Sequence, residues 1–125
     1  PEIAHVGLNE DNARKRFGRV RVLRWPLHDN DRAQAERETL GFAKVVTDRR
    51  GKILGASIVG AQAGELIQMW SLAVSQGLNI KAMTQWISPY PTLSEVNRRV
   101  ALGHYQALAT NPTVRKVIGW LAKLG

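Results

Sequence analysis

The chain contains no cysteine. That excludes disulfides, thiolate zinc sites and a dithiol redox pair from these residues. It also lacks an apolar run of the roughly eighteen residues a membrane span needs. "PEIAHVGLNE" carries no basic-then-apolar signal pattern. Together these two absences point to a cytoplasmic protein. No two glycines are separated by a single residue, so the dinucleotide-binding fingerprint is missing. "GASIVG" gives the outer glycines of a phosphate loop, but Ala61 and Gln62 follow where lysine and a hydroxyl residue are needed. It reads instead as a strand-to-helix junction. The three histidines, His5, His28 and His104, are scattered without metal-ligand spacing, and no metal site is expected.

Acidic residues are also missing from one stretch. After Glu95 there are Arg98, Arg99, Arg115, Lys116 and Lys123 and no acid, whereas up to Gly41 eight basic and seven acidic residues nearly cancel. The formal charge of +8 is therefore weighted toward the tail. What remains is a 125-residue chain of ordinary composition, the size of one domain with a real core. It opens on Pro1 without methionine, which suggests a piece of something longer, although methionine removal before proline gives the same result.

The periodicities run from strand to helix. Residues 3–6 alternate as a short strand closing at Gly7, and "NEDNARKRFG" places acids first, bases behind and glycine last, as a capped helix does. "RVRVLRW" reads as a one-sided strand. "PLHDNDRAQAERETL" is polar and irregular, with one helical turn near Arg32 to Glu38. "GFAKVVTD" and "KILGASIVG" flank "RRG" as an antiparallel hairpin, and Gly55 inside the second strand predicts a bulge or a close backbone approach. Helical spacing then takes over. One helix is expected from Ala61 to Gly77, a short one in "NIKAMTQWI", a long one in "TLSEVNRRVALGHYQALA", and a last one in "TVRKVIGWLAKL" after the Asn111-Pro112 break. Strands followed by helices predict an α+β fold, an antiparallel sheet covered by helices. The expected division is a domain over 1–109 and a helical extension over 110–125.

Several residues stand out chemically. Glu65 sits in a helical first turn, where the macrodipole alone explains a carboxylate. Thr92 and Glu95 have the spacing of a capping box. The tail helix collects Val114, Val117, Ile118 and Leu121 on one stripe beside Arg115, Lys116, Lys123 and Trp120. Such a helix rests on an anionic membrane surface or packs on its own domain, and the second arrangement is the commoner. Arg98 and Arg99 are adjacent on a helix otherwise lined by alanine and leucine, a poor recognition face for nucleic acid. No nucleophile, metal cluster or cofactor loop can be assembled, so the chain by itself is not expected to be an enzyme.

Taken in order, "IAHVGLNEDNAR", "GFAKVVTDRRGKILGASIVGAQAGELIQMWSLAVSQGL" and "YPTLSE" resemble the C-terminal dimerisation domain of the FAD-dependent pyridine nucleotide-disulfide oxidoreductases. The likeness runs from Pro1 to about Leu108. It implies a homodimer around a two-fold axis, with FAD and NAD(P)H bound by upstream domains of the same polypeptide and no cofactor held by this chain alone. The loop matching Pro89 to Thr92 would reach the partner's flavin, with Tyr90 and Pro91 beside it. Disulfide-reducing members carry histidine before that proline, paired with a glutamate that orients it. Here those positions hold Tyr90 and Glu95. A phenol ionises near 10 and imidazole near 6.5, so Tyr90 suits hydrogen bonding better than proton exchange. The parent is then an oxidoreductase whose substrate need not be a disulfide. Leu66, Met69, Trp70, Trp86, Ile87 and Pro89 are more large apolar groups than a small core hides, and they are expected at the two-fold interface. The alternative is a stand-alone basic module acting at a membrane surface or on nucleic acid.

Overall fold

The structure, a computed structural model, describes residues 1–109 and 112–124. Four antiparallel strands form one sheet in the order β1-β4-β3-β2: β1 Glu2–Gly7, β2 Val20–Pro26, β3 Phe42–Asp48 and β4 Ile53–Gly60. The expected α+β architecture is present. β3 and β4 are the predicted hairpin, and its turn is held by Asp48, whose carboxylate accepts from the Arg50 and Lys52 amides at 2.8 and 2.9 Å. The ladder skips a residue where Val46 faces Gly55 but Thr47 faces Ile53, which leaves Leu54 as a bulge. Freed from the ladder, the Leu54 carbonyl accepts from the Leu8 amide at 3.0 Å. The chain leaving β1 therefore runs directly over Gly55.

Helices cover both faces of the sheet. α1 (Glu10–Phe17) is capped by Asn9, whose side chain accepts from the Asn12 amide at 2.8 Å. It buries Ala13 against Val46 and Leu54 as a small second core. The opposite face carries the main core, in which Val45, Ala56 and Ile58 meet Leu66, Trp70, Val96 and Val100 from the helices. Burying a side chain such as Ile58 contributes about 1.5–3 kcal/mol. The covering helices are α3 (Ala63–Leu66), α4 (Gln68–Ser75), α5 (Ala82–Gln85) and α6 (Glu95–Ala109). The helix expected over Ala61 to Gly77 thus appears as two segments joined at Ile67, entered through Gln62 in the left-handed region at φ 56°.

Two sequence expectations are corrected. The stretch from Leu27 to Glu38 is better ordered than its polarity suggested: a 3-10 turn (Leu27–Asp29) leads into α2 (Asp31–Ala35), with Leu27, Asn30 and Ala33 buried. The last helix, α7 (Pro112–Leu124), expected to pack on its own domain, meets α6 and half-buries Val114, but none of its residues is buried. The expected boundary between 109 and 110 meets Thr110 and Asn111, which lie outside the described residues.

Candidate functional site

The loop between α5 and α6 is built against α2. Asn30 serves two purposes from a buried position. Its Oδ1 accepts from the Ala33 amide at 2.9 Å, capping α2, while Nδ2 donates to the carbonyls of Thr92 and Leu93 at 3.1 and 3.4 Å. The Arg32 guanidinium donates to the Pro91 carbonyl at 3.4 Å. The Tyr90–Pro91 peptide is cis. These contacts fasten the loop to a distant part of the chain and leave Tyr90 outside, 70% exposed.

Tyr90 and Glu95 are neighbours but not a hydrogen-bonded dyad. The Tyr90 hydroxyl donates to Asp31 Oδ2 at 2.9 Å. Glu95 instead accepts from the Thr92 amide at 3.4 Å, the reach-back half of the capping box. The Thr92 hydroxyl itself donates to the Pro89 carbonyl at 2.8 Å. The hydrogen bond to Asp31, then its negative charge, raises the Tyr90 pKa above the ordinary 10. The phenol therefore stays protonated through neutral pH, and the group it presents is a hydrogen-bonding hydroxyl. In a Tyr105→Phe background, which leaves one tyrosine, Asp31→Asn should move the phenolate transition down toward 10. Ultraviolet absorbance against pH measures it, and an unmoved transition means the Asp31 contact is not formed.

Two clefts flank Glu95. One, of about 250 Å³, lies between Thr84–Ser88 and the side chains of Glu95, Arg98 and Arg99. The other, about 80 Å³, is lined by Asp29, Asn30, Asp31, Tyr90, Glu95 and Arg99. Arg99 is the cation common to both, and the carboxylates of Asp29, Asp31 and Glu95 line the smaller cleft with it. Trp86 stands in the wall of the larger cleft, with its indole N–H buried and without a hydrogen-bond partner in the protomer. An unpaired buried donor costs about 1–3 kcal/mol unless an acceptor arrives.

The expected interface residues divide into two groups. Ile87, 92% exposed, and Pro89 project from the loop, and Trp86 is half-buried behind them. Trp70 and Leu66 are corrections: both belong to the protomer's own core. Trp70 turns inward because its indole N–H has an internal acceptor, Asn97 Oδ1 at 2.8 Å. Met69 is partly buried at the edge of the same core, near Asn97 Nδ2. The sequence reading missed Asp31, Asn30 and Arg99. The Asn-Asp-x-Ala pattern over residues 30–33 is an N-cap signature that could have marked α2, but nothing local joins it to Tyr90, 59 residues away.

Away from the loop, the three histidines stand far apart in the sequence, and His28 is exposed beside Asp29. His5 bonds Ser57 Oγ at 2.7 Å, and buried His104 has its pKa lowered by desolvation and by Arg21 and Lys81. Among the described residues, no helix is long and apolar enough to cross a membrane.

Comparison with known proteins matches residues 1–101 to the family model for the dimerisation domain of pyridine nucleotide-disulphide oxidoreductases. A mercuric reductase of Lysinibacillus sphaericus is 39% identical over 103 residues, covering 82% of this chain and 19% of the relative. A dihydrolipoyl dehydrogenase of Zymomonas mobilis is 37% identical over 106 residues, covering 84% and 23%. Among solved structures, LpdA of Mycobacterium tuberculosis superposes with a TM-score of 0.77 at 30% identity, covering 83% of this chain and 23% of that one. The chain thus spans about a fifth of the length of such relatives.

Proposed function

The chain belongs to the pyridine nucleotide-disulphide oxidoreductase dimerisation-domain family, and from that premise we propose that it holds two subunits together through the loop over residues 86–91, lending Tyr90 to the partner's redox site. The observation that carries this reading is the loop itself. Ile87 and Tyr90 are held out into solvent by a backbone that Asn30 and Arg32 fasten to α2. A second subunit supplies the missing apolar contact to Ile87 and Pro89.

In the parent enzyme FAD and NAD(P)H supply the electron transfer when bound to the upstream domains. The residues of this chain suit a supporting role there. Tyr90 offers a neutral hydroxyl and an aromatic face beside Pro91, while Asp31 holds the ring and Arg99 balances the surrounding carboxylates. A shuttle of protons to thiols is disfavoured, because the tyrosine pKa is shifted away from neutrality. The parent's substrate is therefore one that needs no imidazole at this position.

Sedimentation of the chain at tens of micromolar tests the interface. The expected result is a dimer that Ile87→Glu weakens at least about tenfold, which is roughly 1.4 kcal/mol. A monomer, or a dimer indifferent to Ile87→Glu, refutes the assignment. In the parent, Tyr90→Phe is expected to change turnover while leaving the dimer intact. Unaltered steady-state rates remove Tyr90 from the site.

A further inference from the structure

α7 has a face for which the domain provides no cover. At about 100° per residue, Trp120, Leu124, Val117, Leu121, Val114 and Ile118 fall within an arc of roughly 160°. Arg115, Lys123 and Lys116 occupy the opposite arc, and the helix contains no acid. Val117, Ile118, Trp120, Leu121 and Leu124 are each more than half exposed. The face begins beyond the residues matched by the family model, which end at 101, so the dimerisation fold does not account for it.

Charge and shape decide between possible occupants. A second copy of α7 would cover the apolar arc but leave the three cations of each helix on the outer side with no counter-charge, on a chain whose formal charge is already +8. Nucleic acid would satisfy the cations and leave five large apolar side chains in water. An anionic lipid surface satisfies both arcs at once, with the apolar arc in the acyl boundary, the cations at the headgroups, and tryptophan at the interface it favours. Thirteen helical residues span only about 20 Å, against a hydrocarbon core of about 30 Å, so the helix would lie in the surface rather than cross it. We propose that α7 is a peripheral membrane-docking helix that seats this domain on anionic lipid. The proposal is independent of the loop interface, and either can fail without the other.

The test is flotation of the 125-residue chain with two kinds of vesicle, phosphatidylcholine alone and phosphatidylcholine with phosphatidylglycerol. Binding is expected to the second only, with a blue shift of tryptophan emission that Trp120→Phe removes. The combined change of Arg115, Lys116 and Lys123 to Gln should weaken binding roughly a hundredfold, at about fivefold per cation. Ile118→Glu should abolish it while far-ultraviolet circular dichroism and sedimentation remain those of the parent chain. Failure to float with the anionic vesicles overturns the proposal, as does equal binding to the neutral ones. Self-association that is lost with Ile118→Glu, without vesicle binding, overturns it in favour of a second copy. Capture of poly-glutamate in place of vesicles overturns it in favour of an acidic protein partner.

Discussion

Trp70→Ala should remove roughly half of the domain's stability. Trp70 is fully buried and is the largest side chain in the core. Truncating a buried tryptophan costs about 3–5 kcal/mol through lost contacts and the cavity left behind. Its indole N–H also satisfies Asn97 Oδ1, and a stranded buried acceptor adds about 1–3 kcal/mol. A domain of this size has about 5–15 kcal/mol in all. Urea unfolding followed by circular dichroism measures the loss as a shift in midpoint at constant slope. Trp70→Phe keeps most of the ring and should cost clearly less. A loss below about 1 kcal/mol for Trp70→Ala would contradict its placement in the core and restore it to the interface.

The second large effect is expected at Gly55. A Cβ there would lie 2.0 Å from the Leu8 carbonyl oxygen and 2.8 Å from its nitrogen. Both are backbone atoms, and the same Leu8 amide is bonded to Leu54 across the bulge. Gly55→Ala can be accommodated only if the segment from Gly7 to Asn9 lifts away. That breaks the Leu8–Leu54 bond and separates α1 from its small core of Ala13, Val46 and Leu54. Overpacking a close contact costs about 1–3 kcal/mol, and this one meets the backbone of Leu8 rather than a yielding side chain, so the upper end is expected. Hydrogen exchange should show α1 amides losing protection first, while α6 keeps most of its own. Loss of protection spread evenly over the chain would mean that the bulge is not a local hinge.

Different features of the fold were legible for different physical reasons. The strands and the long helices declare themselves through periodicity, because one face of each is buried against the same core. Gly55 was legible as a close approach, since few other reasons place glycine mid-strand. The single helix over Ala61 to Gly77 was not wrong in its stripe, only in its continuity: Ile67 interrupts the helix without disturbing the inward face. Trp70 could not be assigned between core and interface from sequence, because its placement depends on Asn97, 27 residues later. The candidate site was half legible. Tyr90 and Glu95 were found through the family pattern, but the partner of the phenol is Asp31, supplied by a segment that looked like polar filler. Long-range hydrogen bonds leave no periodic trace. The tail was read correctly as amphipathic, yet amphipathicity says nothing about which surface satisfies it, and the domain's own core was already closed by α3 to α6.

Asn97 has one more effect. Its Oδ1 and Nδ2 are both engaged in the interior, by the Trp70 indole and the Leu66 carbonyl. Glu95 and Arg99 stand two positions to either side, about 200° around the axis from it. An amide fixed in this way works like a keyway on a shaft: α6 cannot swivel without breaking two bonds in a dry interior. Aiming the carboxylate and the guanidinium outward is thereby decoupled from their own identities, so the chemistry at 95 and 99 can be exchanged while its bearing stays constant.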